Sequence, residues 1–185
     1  IKAQDVFALS VLSELAFLVY TGDDDGDANS ARKIANYFKA NRAGQGLAVA
    51  ANCPTSMRVD EIAAAFGAQV FRAEVGVVNL AREKRAEGYT VRILGEGSNG
   101  GNITHPSAVR DPLSTLFALI KLLVIRDADG QKGLFHLWCT ASGQEDKYKD
   151  GYTLADTENL SGTTATPTSA TAKTYEHFTA EPVTQ

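Results

Sequence analysis

The alternation of apolar and polar positions predicts a long helix at the start of the chain. Apolar residues recur at helical spacing over residues 5–20, and Asp5 stands where a carboxylate favours a helix N-terminus. After the acidic turn at Gly22–Asp27, residues 29–40 repeat the helical pattern and predict a second helix. Both predicted helices precede the first segment with the character of a strand.

From residue 47 onward, three short apolar strands each precede a helix. The predicted strands are Leu47–Ala51, Gln69–Ala73 and Tyr89–Leu94. The predicted helices are Val59–Phe66, Asn79–Glu87 and Leu113–Ile125. Strands and helices that alternate with short links are typical of an α/β fold with a mainly parallel sheet. We therefore expect a three-layer α/β sandwich that binds ligands at the carboxyl ends of its strands.

The composition of the chain changes toward its C-terminal end. A turn is predicted at Asp127–Gly130, and the apolar segment Gly133–Trp138 is suited to close the core. From Thr153 onward the chain is rich in Thr, Ala and Ser and holds few large apolar residues. The sequence predicts one α/β domain over residues 1–138 and an irregular Thr-rich tail or linker over residues 139–185.

Charge and cysteine content narrow the class of protein. The 185 residues carry a formal net charge of −4, and Lys and Arg are scattered, so no nucleic-acid-binding footprint is visible. Cys53 and Cys139 lack the spacing of a zinc site or a disulfide framework. The start of the chain has no targeting pattern, and the longest apolar run is too short to cross a bilayer. These features predict a cytoplasmic protein without nucleic-acid or membrane partners.

The segment with the most chemical character is Gly95–Asn102, which directly follows the third predicted strand. Its sequence is Gly-Glu-Gly-Ser-Asn-Gly-Gly-Asn, so a carboxylate, a hydroxyl and two amides stand among four glycines. Glycine lets backbone approach a ligand closely, and such polar groups suit sugar hydroxyls. The order matches neither GxGxxG nor GxxxxGK[ST], which argues against a nucleotide. From composition alone, a tight glycine turn between strand and helix fits equally well.

Several segments, in order, resemble the phosphohexomutases, the phosphoglucomutase/phosphomannomutase family. Gly95–Gly101 resembles the Gly-Glu-x-Ser-Gly sugar loop of that family, and Ala3–Leu9 is similar to its Gly-Asp-Gln-Leu-Leu-Ala-Leu helix start. Val49–Phe66 resembles its strand, Ser-rich turn and helix, and Arg110–Leu113 resembles the Arg-Asp-Gly start of the next helix. Thr153–Asp156 is similar to its Pro-Leu-Ser-Glu segment. The resemblance covers most of residues 3–125 and points to domain three.

The resemblance implies a sugar-binding role for this chain. In the family, the loop glutamate and serine hold two hydroxyls of a hexose phosphate, and the corresponding residues here are Glu96 and Ser98. We expect the remaining substrate contacts to come from the following residues: Asn99, Gly97, Gly100, His105 and Arg110. For Asp111 and Pro112 the sequence predicts a structural role, as the N-cap and the first residue of the next helix. The implied partners are glucose or mannose 1- or 6-phosphate and the other mutase domains, and the implied cofactor is magnesium bound elsewhere in the full-length enzyme.

The sequence also differs from the family at several motifs. Thr140–Gln144 and Leu160–Thr163 imitate parts of the family's phosphoserine and phosphate-binding motifs, but without the required His and Arg and out of place. Asp23–Asp27 lacks the Arg of the magnesium loop and fits a solvated acidic turn better than a calcium module. The basic residue that the family carries after the position of Gly76 is absent. We therefore expect no catalytic or metal-ligating residue here and no activity from this chain alone. The alternative is a non-catalytic α/β sugar-phosphate binding or regulatory module.

Overall fold

The computed structural model describes residues 2–21, 46–97 and 101–162. The helices in these residues are α1 (Ala3–Thr21), α2 (Arg58–Ala65), α3 (Val77–Ala86), α4 (Pro112–Val124), α5 (Leu134–Ala141) and α6 (Leu154–Leu160). The strands are β1 (Gly46–Asn52), β2 (Gln69–Ala73), β3 (Tyr89–Gly95) and β4 (Ile103–Thr104). A short 3-10 helix at Glu145–Lys147 lies between α5 and α6.

The four strands form one mixed sheet in the order β2-β1-β3-β4. β1 pairs in parallel with both β2 and β3, and β4 pairs antiparallel with β3. The carboxyl ends of β1 and β3 therefore lie side by side, with Ala51 opposite Gly95. The expected α/β fold with a mainly parallel sheet is confirmed.

Helices cover both faces of the sheet because the strands alternate their side chains between two apolar clusters. Leu47, Val49 and Ala51 of β1 pack with Ile93 into the larger cluster, which α1, α2, α4 and α5 complete. Ala48 and Ala50 of β1 face the opposite side, where α3 packs. These two clusters make the domain a three-layer sandwich.

The expected elements match the described residues closely. The strands predicted at Gln69–Ala73 and Tyr89–Leu94 and the first helix are confirmed, with ends that differ by one or two residues. The helix predicted at residues 29–40 and the acidic segment Asp23–Asp27 lie outside the described residues. The short β4 strand was not predicted, since two residues carry no periodicity.

α1 differs from the expectation that no apolar run is long enough for a bilayer. This 19-residue helix meets the criteria of length and composition for a membrane span. A core helix of a globular protein meets the same criteria, and 67% of the apolar window of α1 is buried inside the fold. Its apolar residues pack into the larger core cluster.

The segment after residue 138 is more ordered than an irregular tail. α5 continues to Ala141, and α6 begins at Thr153, whose hydroxyl and backbone N–H both pair with Asp156 in a capping box. Trp138 Nε1 donates to the Leu160 carbonyl at 2.9 Å and ties α6 to α5. The prediction of irregular chain is thus wrong for Leu154–Leu160. The domain boundary at residue 138 stays a prediction.

Replacing Trp138 with Phe tests the attachment of α6. The change removes the donor to Leu160 and leaves unfilled volume beside Phe66, whose ring centroid is 6.1 Å from that of Trp138. We expect Trp138→Phe to lower the free energy of unfolding by about 2 kcal/mol in urea denaturation. Phe117→Leu, on the exposed side of α4, is the control and should change it by less than about 0.5 kcal/mol. Equal effects of the two substitutions would contradict the assigned contact.

Candidate functional site

The candidate site lies where β3 ends and the glycine-rich loop begins. Glu96 directly follows β3, and its Oε1 pairs with Arg110 Nη2 at 2.8 Å. The side chains of Glu96 and Arg110 are 22% and 39% exposed, so the pair is open to solvent. Arg110 comes from the turn before α4. The pair therefore joins the strand end to the start of the helix that follows it in the chain.

The neighbouring loop, which follows β1, is shaped by the buried guanidinium of Arg72. Arg72 Nη1 donates to the carbonyls of Asn52, Cys53 and Thr55 at 3.2, 3.3 and 2.7 Å. Its Nη2 donates to the Ser56 carbonyl at 3.2 Å and pairs with the carboxylate of Asp60. A guanidinium offers five N–H donors in a rigid fork, so one side chain can satisfy a whole turn of carbonyls. The loop after β1 is thereby held in one conformation.

This loop in turn holds Gly97. The Gly97 N–H donates to Thr55 Oγ1 at 3.0 Å, and the Thr55 hydroxyl donates to Asn52 Oδ1 at 2.5 Å. The side chain of Gln4 accepts from the Ser56 N–H at 2.8 Å and donates to the Pro54 carbonyl at 3.1 Å. Gly97 lies so close to Gln4 that a Cβ at residue 97 would be 1.9 Å from Gln4 Oε1. A side chain at residue 97 would therefore displace the Gln4 side chain from this position.

The far side of the glycine-rich loop is fixed to α4. The Asn102 N–H donates to Thr115 Oγ1 at 3.3 Å, and the Thr115 hydroxyl donates to Asn102 Oδ1. Asp111 is the N-cap of α4, because its carboxylate accepts from the Leu113 N–H at 2.9 Å. Hydrogen bonds from the Ser114 hydroxyl and the Leu113 N–H lower the pKa of Asp111. The predicted capping role of Asp111, with Pro112 opening the helix, is confirmed.

Comparison with known proteins agrees with this geometry. A family model described as "Phosphoglucomutase/phosphomannomutase, alpha/beta/alpha domain III" matches residues 26–136. The chain belongs to this family. Searches among curated proteins and among solved structures return no significant match. The resemblance noted in the sequence is confirmed at the level of the family and of domain III.

The structure brings some of the expected phosphohexomutase site residues together and separates another. Glu96, Gly97 and Arg110 lie together at the carboxyl end of β3. Ser98, Asn99 and Gly100 lie outside the described residues. The His105 N–H donates to the Arg92 carbonyl, four residues before Glu96, and a strand rises about 13 Å over four residues. The backbone of His105 therefore lies beside an earlier part of β3, some distance before the start of the glycine-rich loop.

Two residues that support the glycine-rich loop were not anticipated from the sequence. Gln4 lies on the first turn of α1, and Arg72 lies on β2, so both are far from the loop in the chain. The sequence signal for Gln4 and Arg72 was limited to the polar turn after β1. This turn lies at the carboxyl ends of the strands, as the glycine-rich loop does. Cys53 also lies in this turn, and burial and nearby Glu74 raise the pKa of its thiol.

The described residues do not fit a metal ion. Phosphohexomutases generally use magnesium, but residues 2–21, 46–97 and 101–162 bring together no group of three or more His, Cys, Asp or Glu that could hold a metal.

Gly97→Ala tests the contact between the glycine-rich loop and Gln4. The added Cβ would force the Gln4 side chain away and cost its hydrogen bonds to Pro54 and Ser56, so we expect unfolding free energy to fall by about 1–2 kcal/mol. The loss should shrink in a Gln4→Ala background, because the two changes break the same contact. Gly151→Ala is the control, since nothing lies within 4 Å of a Cβ there. Additive losses in urea denaturation would argue against the contact.

Proposed function

We propose that this domain recognises the sugar of a hexose phosphate within a phosphoglucomutase or phosphomannomutase. The observation that carries the proposal is the carboxylate of Glu96, held by Arg110 at the carboxyl end of β3. Ligands of open α/β sheets bind at that end of the strands. The family match at residues 26–136 supports the same assignment.

The chemistry of Glu96 suits the hydroxyls of a sugar. An ionised carboxylate has two oxygens and accepts several hydrogen bonds, so it can bind two vicinal hydroxyls at once. Arg110 would orient the carboxylate, because the two side chains form a charge-assisted pair. In this proposal Ser98 and Asn99 add hydroxyl and amide contacts, while Gly97 and Gly100 let the backbone approach the ring.

The contribution of such a domain is positioning. Phosphoryl transfer depends on a reactant held in line with the attacking group, and correct orientation removes a large part of the barrier. In this proposal other domains of a cytoplasmic enzyme supply the phosphoserine, the phosphate loop and the magnesium ligands. The domain then selects and orients glucose or mannose 1- or 6-phosphate.

Glu96→Gln tests the sugar site on the purified chain. The amide keeps the shape of the side chain but removes its charge and one acceptor, so the dissociation constant for glucose 1-phosphate or mannose 1-phosphate should rise about tenfold in an NMR titration. We expect binding by the unmodified chain to be weak, since the phosphate-binding motif is missing from its sequence.

The matched control is Glu87→Gln. Glu87 is also an ion-paired glutamate that solvent can reach. It lies just before the amino end of β3, whereas Glu96 lies just after the carboxyl end. It should leave the dissociation constant within about twofold of the unmodified value, as an exposed residue away from the ligand has little effect. Tight binding that Glu96→Gln leaves unchanged would overturn the sugar-site assignment.

Turnover by the isolated chain is a separate test. The sequence lacks the phosphoserine motif and the Arg-containing phosphate loop, so we expect no conversion of glucose 1-phosphate to glucose 6-phosphate in a coupled mutase assay with magnesium. Turnover that persists through purification and is lost on heat denaturation would show that the chain is catalytic by itself.

A further inference from the structure

A cleft that Glu96 does not line lies between β4 and α4. It is an open cleft of about 500 Å³. Its basic and polar lining comes from Arg92, Lys121, His105, Thr104, Ser107 and Ser114. Phe117, Ala118 and Pro106 form the apolar part of its wall. Its volume is in the range of pockets that hold small ligands.

The floor of the cleft is an ion cluster with an excess of positive charge. Glu14 on α1 is the carboxylate of the cluster, and its side chain is only 4% exposed. Arg92 donates to Glu14 Oε2 from Nε at 3.1 Å and from Nη2 at 2.7 Å, and Lys121 pairs with Glu14 Oε1. Two cations thus share one buried carboxylate. The cluster has a net charge of +1 when His105 is neutral.

Both cations are also accessible from the cleft. The side chains of Arg92 and Lys121 are 19% and 27% exposed, in contrast to that of Glu14. Arg92 Nη1 makes no hydrogen bond to any described residue in the structure, although Nε and Nη2 are both used. A guanidinium that lines a cleft next to an ammonium group is suited to bind a carboxylate.

The carboxylate of Asp111, which is close to the cleft, does not cancel this charge. Asp111 lies next to the cleft through Ser114, whose hydroxyl donates to Asp111 Oδ2 at 2.7 Å. Asp111 is not part of the cleft lining, and it also accepts the Leu113 N–H as the N-cap of α4. The hydrogen bonds of the Asp111 carboxylate are therefore made to the first turn of α4 and not to Arg92 or Lys121.

We propose that this cleft binds a single carboxylate attached to an apolar group, at a site distinct from the sugar loop. The net charge of +1 matches one carboxylate better than a phosphate ester, which carries nearly two negative charges at neutral pH. Phe117, which is 54% exposed, offers a ring against which an apolar group can pack. The proposal does not depend on sugar binding by Glu96.

An NMR titration of the 185-residue chain with phenylacetate tests the proposal. We expect saturable shifts of the backbone amides of His105, Ser107 and Phe117, with a dissociation constant of about a millimolar for a ligand of this size. Phenylacetamide, which has the same ring without the charge, should bind about tenfold more weakly. Absence of saturable shifts, equal binding of phenylacetamide, or tighter binding of inorganic phosphate at the same amides would overturn the proposal.

Lys121→Gln tests the charge, and Lys132→Gln is its matched control. Both lysines are partly buried and paired with a glutamate, but Lys132 pairs with Glu145 outside the cleft. Lys121→Gln should weaken phenylacetate binding about tenfold, and Lys132→Gln should change it less than about twofold. Unchanged binding by a folded Lys121→Gln chain would overturn the assignment.

If Lys121→Gln fails to fold, Phe117→Glu decides the question. Phe117 and Leu116 are 54% and 51% exposed on α4, but only Phe117 lines the cleft. A carboxylate at residue 117 would compete for the cations, so Phe117→Glu should weaken binding at least about tenfold, while Leu116→Glu should have a clearly smaller effect. Equal binding by the two variants would overturn the proposal.

Discussion

The candidate sugar site depends on the hydrogen bonds that the buried guanidinium of Arg72 donates. The guanidinium donates to carbonyls of four residues in the turn that follows β1, and Asp60 balances its charge. Buried carbonyls without donors are costly, so the turn keeps the one conformation that Arg72 can satisfy. That conformation presents Thr55 to the N–H of Gly97. The position of the glycine-rich loop is thus set by a residue on β2, two strands away from β3.

The second constraint on the site is the way the glycine-rich loop joins α4. Thr115 holds Asn102, and Asp111 caps the helix, so the chain enters α4 at a fixed angle. Arg110 precedes this cap and can therefore reach Glu96. The carboxylate of Glu96 thus has a charged partner on the helix side and a backbone anchored at Gly97 on the sheet side. A rigid support of this kind is what positioning a substrate requires.

The sequence predicted the parts of this architecture that repeat a pattern over many residues. Three strands and their helices were located to within two residues because apolar periodicity records burial directly. The sequence analysis predicted that Glu96 and Arg110 both contact the substrate, which stays a prediction, and the structure joins the two side chains by an ion pair. α6 escaped prediction because its stability rests on a capping box and on the contact from Trp138, and a composition low in large apolar residues shows neither. The roles of Gln4 and Arg72 were not predicted, because contacts between segments that are distant in the chain leave no local sequence pattern.

α4 connects the two proposed sites of the domain. It begins beside Arg110 at the glycine-rich loop, and Lys121 lies ten residues after its cap, which corresponds to about 15 Å along a helix. Glu14 on α1 anchors the same helix through Lys121, and the Ser13 hydroxyl donates to the Ala118 carbonyl at 2.6 Å. The lining of the cleft runs along α4 from Ser114 in its first turn to Lys121. Because a short, packed helix moves as a unit, α4 would hold the two proposed sites in a fixed relation to each other.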